Sequence, residues 1–398
     1  MNIIFLIIVI FSLIAGFFMR GKLSISIKRK ISERFFVSLS GFSALFIILF
    51  IIYLLLHIFL LGKSHLTWEF LFTAPKEGLT GGGIFPALVG TSLLVLIMSL
   101  IGVPIGTITA IYLAEYAKEN SILTKSIRFA VNTLAGVPAI VFGLFGLGFF
   151  IGFVGKQMDN VELNRRMNNL ETVFNSSASP FKNSGSASDN DIKKCLADND
   201  SKYWIEQIDQ VKILTEMFGS GVAIKKTETI KFFKDRSRPK WAQPALIWAA
   251  LTMALLTLPV VIVSVEEAIR TIPREQREAS LALGATKFTT IMKIVVPGAM
   301  SGVLTGTILT ISRGAGEVAP ILFTGVAYYL PDLPNTFYSQ FMHLGYHIYV
   351  LTTQSTNVEL TKPLQYATTL VLLMLTFLLN FTAVFIRSRI RSRAAKNS

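Results

Sequence analysis

The 398-residue chain contains a single cysteine, Cys195, and only four histidines. One cysteine excludes an internal disulfide framework and a cysteine-rich metal centre. Charged residues are scarce at 16%, where a soluble domain carries about a quarter. A nucleotide-binding signature is missing too. Gly62-Lys63-Ser64 ends like a phosphate-binding loop, but His57 stands where the first glycine belongs. ATP hydrolysis linked to this chain would therefore come from another chain. No nucleophile–base pair or paired catalytic carboxylates can be assembled, so the residues point to no enzyme chemistry.

What the chain has in abundance is apolar surface: 52% hydrophobic residues and a mean hydropathy of +0.56. Crossing a bilayer takes about 20 apolar residues per helix. Segments of that kind lie near 1–19, 37–61, 87–114, 129–154, 243–268, 297–326 and 366–386. The expected fold is all-α and polytopic, with six core spans and one extra N-terminal transmembrane helix. Residues 1–19 could be a signal peptide, but they lack a positive start and a small-x-small cleavage site before Arg20. A retained helix is the expectation.

The net charge of +14 is not a nucleic-acid signature, because of where it sits. Basic residues cluster at Arg20 to Arg34, Lys118 to Arg128, Arg270 to Lys293 and Arg387 to Lys396. Each cluster adjoins a span, and alternation puts all four on one side. That is the positive-inside pattern, which makes them cytoplasmic. The expected organisation is then an N-terminal helix and basic linker (1–36), three core spans (37–154), an extracytoplasmic insertion (155–242), three further spans (243–387) and a basic tail (388–398). The insertion begins polar and partly flexible, while Ile205, Ile208 and Val211 recur at helical spacing and predict a short amphipathic helix. Prolines 104, 138 and 259 and the glycines 143, 146 and 148 serve either close packing and kinks or the bending of helices around a pathway.

Between two apolar runs lies a polar island, residues 268–296, with Arg270, Arg274, Glu275, Arg277, Glu278, Lys287 and Lys293. Pro273 suits the first turn of a helix, and Gly284 ends it or permits close backbone approach. A short helix–turn–helix beneath the bilayer follows, either a connector or a docking surface. Arg313 and Glu317 lie within the apolar run 297–326, four residues apart and expected on one helix face. Each charge would cost roughly 2.5–3.5 kcal/mol at the centre of a lipid-facing helix, so both should face the bundle interior. They form either a structural ion pair or an anion site, for which the planar arginine fork suits phosphate. His343 and His347 have a ligand-like spacing, but with no third ligand an incidental polar face is the expected reading. Glu266 and Glu267 read as solvated carboxylates at a span end.

The spacing Glu278-Ala279, Gly284, Ile294, Pro297 resembles the EAA loop of ATP-binding-cassette importer permeases, with Ser280 in place of the second alanine and Val296 in place of a leucine. The stretches 90–117, 134–146, 256–286 and 311–325 are similar to the A-type (PstA) permease family of phosphate importers, within the MetI-like permeases. The likeness is close over 90–154 and 243–326, looser over 337–387, and does not extend to 1–35 or 156–240. It implies a phosphate-importer subunit in the bacterial inner membrane that couples to its ATPase through Glu278, Ala279, Ser280, Gly284, Ile294 and Pro297. It places Arg313 and Glu317 near the substrate path. It also implies a heterodimer with a C-type permease, two cytoplasmic ATPase copies that use the ATP, and an external phosphate-binding protein. No cofactor or metal is expected on this chain. Other oxyanions (molybdate, sulfate, phosphonate) remain open, as do an ATP-independent secondary transporter and a sensor built on residues 156–240.

Overall fold

The computed structural model describes residues 25–396 apart from 77–78, 80, 119, 177–178, 183–185, 188–190, 193, 196–223, 237–238 and 356–357. The expected span 1–19 and the amphipathic helix around Ile205 lie outside the described residues. The chain divides into two units, Met1–Lys63 and Ser64–Ser398. In the first, one 38-residue helix, α1 (Ile25–Gly62), carries the apolar run. The basic segment from Ile25 onward is thus a helical continuation and not a separate linker.

Among the described residues, six helical runs are long and apolar enough to cross a membrane: Glu33–His65, Phe85–Tyr116, Ala139–Asn175, Leu246–Arg270, Lys287–Gly316 and Thr361–Arg389. In the second unit, a short helix α2 (Trp68–Phe72) and the two-stranded pair β1 (Pro75–Lys76) and β2 (Gly81–Gly82) precede α3 (Phe85–Ile111), which closes in a π-helical turn, Tyr112–Tyr116. The expected span 129–154 is instead two helices, α4 (Ile122–Gly136) and α5 (Ala139–Phe145). They part at Val137-Pro138 because a residue before proline is driven out of the helical region. From α5 the chain stays helical through the π-helical Gly146–Gly155 into α6 (Lys156–Asn175). The 37-residue run is ~55 Å long, well beyond a ~30 Å hydrocarbon core. The segment 155–242 therefore begins as a helical extension of a span.

That extension carries a small core of its own. Met167, Leu170 and Phe174 of α6 pack on Phe181, Ala187, Ile192 and Phe233, with α7 (Lys226–Arg236) alongside and β3 (Ser186–Ala187) paired antiparallel to β4 (Ile224–Lys225). The return into the membrane is pinned by Asp159. Its carboxylate accepts the backbone N–H groups of Lys240, Trp241 and Ala242 at 2.7–3.1 Å, and the Trp248 indole donates to the Trp241 carbonyl at 2.7 Å.

The centre of the bundle is α8 (Leu246–Arg270), which packs against α3, α4, α5 and α11 (Val296–Gly316). Leu94, Met98, Phe142, Ala250, Met253 and Ala315 fill its outer half, and Ala110, Leu113, Val261, Val265, Ile269 and Ala299 its cytoplasmic half. Helices meet closely because the facing positions are small. A Cβ added at Gly302 of α11 would collide with that of Ala268 of α8. The last elements are α9 (Arg274–Ala282), α10 (Lys287–Thr290), the π-helical Ile291–Val295 that leads into α11, then α12 (Leu344–Thr353) and α13 (Val358–Lys396).

Candidate functional site: a cytoplasmic loop and an unwound span end

The helix carrying Arg313 is shifted from its expected limits. It runs from Lys287 to Gly316 instead of 297–326. Pro297, which lacks an N–H, is accommodated just after the π-helical turn. At the other end Gly314, Gly316 and Pro320 stop the helix, and Glu317 is extended (φ −82°, ψ 127°). Arg313 and Glu317 thus do not share a helix face. Their pairing survives across the helix end, with Arg313 Nε donating to Glu317 Oε1 at 3.3 Å. The arginine side chain is 37% exposed and the glutamate 28%. Among the described residues nothing else hydrogen-bonds the guanidinium, so both terminal amino groups stay available to an anion. Beside it, Ser312 Oγ donates to Asn380 Oδ1 of α13 at 2.7 Å.

The chain after Glu317 is fastened to the bundle by its backbone. The N–H groups of Ala245, Leu246 and Ile247, which start α8 and have no intrahelical acceptor, donate to the carbonyls of Thr324, Ser339 and Phe337 at 2.8–3.0 Å. A Cβ at Gly143 would press on the Pro320 carbonyl at 2.9 Å. His343 and His347 do not form a polar face: both are buried, in contrast to the expectation from their spacing. His343 caps α12, its Nδ1 accepting from the Gly345 N–H at 3.2 Å. That bond makes Nε2 the protonated nitrogen, and neither His343 Nε2 nor His347 Nδ1 has a partner among the described residues. Burial pulls His343 down to about 3 and His347 down to about 4. Among the described residues, no group of three or more metal-ligating side chains occurs.

On the cytoplasmic side the polar island is α9, a turn and α10. Glu278 and Ala279 are exposed on α9, and Ser280 is half-buried with its hydroxyl 2.9 Å from that of Thr290. Gly284 has φ +85°, which L side chains rarely adopt. Its N–H returns to the Leu281 carbonyl at 3.0 Å. Thr286 then caps α10 by accepting the Thr289 N–H. Ile294 is half-buried on the π-helical turn, and Pro297 is exposed. No residue of α9 is buried, and Leu283 (90% exposed), Leu281 and Phe288 point outward. Isolated exposed leucines are ordinary; three large apolar side chains on one polar loop form a surface that lacks its cover.

Two ion-pair clusters beneath the bundle escaped the sequence. Glu266 is 9% exposed rather than solvated, and its Oε1 binds Arg128 at 2.7 Å and Arg270 at 2.9 Å, lining a pocket of about 250 Å³ with Asn132 and Glu267. Arg277 binds Glu115 Oε1 at 3.0 Å. The Glu266–Arg270 spacing of four was a legible signal; the partners Arg128 and Glu115, from other helices, had none.

Spans, loop and unwound end together define a multi-pass helical membrane protein with an exposed helical loop on its cytoplasmic face. Residues 102–393 match the family described as binding-protein-dependent transport system inner membrane component, and the chain belongs to that family. It is thus a multi-pass inner-membrane component of a transport system, with the MetI-like permease fold. The chain is 25% identical to the probable ABC transporter permease protein YqgI of Bacillus subtilis, over 74% of this chain and 71% of that protein. It is 28% identical to the phosphate transport system permease protein PstA 1 of Mycobacterium tuberculosis, over 77% and 71% respectively. Among solved structures it is similar to a bacterial ABC transporter involved in the import of the acidic polysaccharide alginate, at 14% identity and a TM-score of 0.49, covering 92% of this chain and 99% of that one.

Proposed function

We propose that the chain is the A-type permease subunit of an ATP-driven phosphate importer. It would form half of the pathway beside a related C-type permease, with two copies of a cytoplasmic ATPase and an external phosphate-binding protein. The observation that carries the substrate is the likeness to PstA 1 over 77% of the chain. The unwound end of α11 supports it: an arginine with open donors at a helix break inside an apolar bundle can hand an oxyanion onward without holding it tightly. Glu317 neutralises Arg313 when no anion is present. Glu278, Ala279, Ser280 and Gly284, with Ile294 and Pro297, would shape the loop on which the ATPase docks.

The test is ATP-dependent uptake of labelled phosphate into vesicles holding the complex. Arg313→Ala should lower uptake by about 10–100-fold, the worth of a charge-assisted hydrogen bond, at unchanged protein level. Arg313→Lys, which cannot present two parallel donors, should recover only part. Glu278→Lys should uncouple hydrolysis from uptake. Normal uptake in both arginine variants would sink the pathway role. Uptake of molybdate, sulfate or phosphonate in preference to phosphate would reassign the substrate.

A further inference from the structure

The cytoplasmic loop buries nothing of its own on α9, yet it holds a fixed position beneath the bundle. The side chain that fixes it is Arg277. Nη1 donates to the Ile272 carbonyl at 2.7 Å, Nη2 to the Ile269 carbonyl at 2.8 Å, and Nε to Glu115 Oε1 at 3.1 Å. The carbonyls belong to the last turn of α8 (Ile269) and to the chain just beyond it (Ile272), which leads into the loop. Glu115 belongs to a different span, in the π-helical turn Tyr112–Tyr116 that closes α3. The pair is largely buried, with side-chain exposures of 20% and 11%.

Two more cations grip the same five-residue turn. Lys287, on the far side of Gly284, lies 4.9 Å over the Tyr116 ring. Arg128 of α4 reaches the Leu113 carbonyl at 3.5 Å. The loop therefore holds the end of α3 from both of its helices, and neither link follows from chain connectivity. Single π-helical turns recur at functional sites, and this one closes α3 where three side chains from outside α3 meet it.

We propose that the turn Tyr112–Tyr116 receives the movement of the coupling loop and passes it to α3, with Arg277 as the positioning residue that joins them. This rests on the proposed coupling to an ATPase. Arg277 does two separable jobs. Its bonds to the Ile269 and Ile272 carbonyls satisfy the end of α8 and fold the loop. Its bond to Glu115 reaches across to α3, so that a push on α9 moves two spans instead of one. Lysine cannot do both, because a single ammonium lacks the planar fork.

Glu115→Ala removes the Arg277 link to α3 and leaves both carbonyl bonds and the Lys287–Tyr116 contact in place, which makes it the diagnostic variant. In vesicles holding the complex with its ATPase, Glu115→Ala and Arg277→Ala should each cut phosphate uptake per ATP hydrolysed by about tenfold. The hydrolysis rate itself should stay within about twofold. The double variant should be no worse than Arg277→Ala alone, and Glu115→Gln, which keeps the acceptor, should recover much of the ratio. A ratio unchanged in Glu115→Ala, losses that multiply in the double variant, or equal falls in uptake and hydrolysis would each overturn the proposal. A second measurement does not depend on the substrate. Spin labels at the exposed Leu100 of α3 and Leu378 of α13, in a Cys195→Ser background, should change separation when ATP and vanadate are added. The change should be largely lost in Glu115→Ala; a change of undiminished size there overturns the role of the Arg277–Glu115 link. Vesicles whose intact complex takes up no phosphate, or that bind no ATPase, would instead reject the proposed function.

Discussion

The loop around Gly284 and the segment 317–347 are both non-spanning connections, of similar length and at opposite faces, yet they are built in opposite ways. The external segment is finished: its backbone caps the start of α8, Phe341 and Leu344 are fully buried, and two imidazoles are sealed in neutral form. The cytoplasmic loop is unfinished. It is tied down by Arg277, Lys287 and a Ser280–Thr290 hydrogen bond, while Leu281, Leu283 and Phe288 face away from the chain. In the proposed importer the cytoplasmic loop keeps its apolar contacts for another chain and its polar ones for its own.

The sharpest way to break this comparison is acid. His343 and His347 are held well below the ordinary 6.5 by burial. Below pH 6.5 the unfolded segment binds protons that the folded one refuses, so stability is full above 6.5 and falls as pH drops toward 3–4. At pH 5 each imidazole should cost about 2 kcal/mol, and the two together about 4 kcal/mol. Hydrogen exchange of residues 337–351 at pH 7.5 and 5 measures it, with His347→Gln expected to remove about half the change. The cytoplasmic loop should show no such dependence; equal sensitivity at both faces would end the contrast.

Next in size is the loop's outward face. Leu283→Asp should leave the thermal midpoint of the isolated chain unchanged, because a side chain 90% exposed supports nothing within it. It should weaken ATPase association by about 2–3 kcal/mol, the scale of an interface anchor, read as the concentration needed for co-purification. A destabilised chain with normal association would mean that Leu283 packs inward.

Much of this contrast was legible in the residues, but unevenly. The polar island could be read because it interrupts apolar periodicity and because Gly284 and Pro273 punctuate it. The break at Glu317 was also written there, in Gly314, Gly316 and Pro320, but the apolar run beyond hides it: hydropathy continues where the backbone hydrogen bonds do not. The split at Val137-Pro138 was masked in the same way. Glu266 and His343 were misread for another reason. A span-end carboxylate and an external histidine are exposed unless a distant segment covers them; Arg128 of α4 pairs with Glu266, and the chain next to His343 is held against Thr91 of α3. The partner of Arg277, 162 residues away in sequence, depends wholly on how α3 packs.

The smallest effect compares like with like, one hydroxyl at each face. Thr91 Oγ1 accepts the Leu344 N–H at 2.9 Å and donates to the Ala87 carbonyl at 2.7 Å, and it is fully buried. Thr91→Val keeps the shape and leaves a buried N–H with no acceptor, which costs about 1–3 kcal/mol because water cannot replace the lost partner. Ser280→Ala removes a hydroxyl bond of the same length on the half-buried loop. Thr290 is buried but can turn its hydroxyl to a backbone carbonyl, and Ser280 lies where water reaches, so the cost should be about 0.5 kcal/mol. Thermal unfolding of the two variants in detergent measures both. The finished face should lose several times more than the unfinished one; a larger loss at Ser280 would mean that the hydroxyl bridge between α9 and α10 holds the loop, with Arg277 secondary.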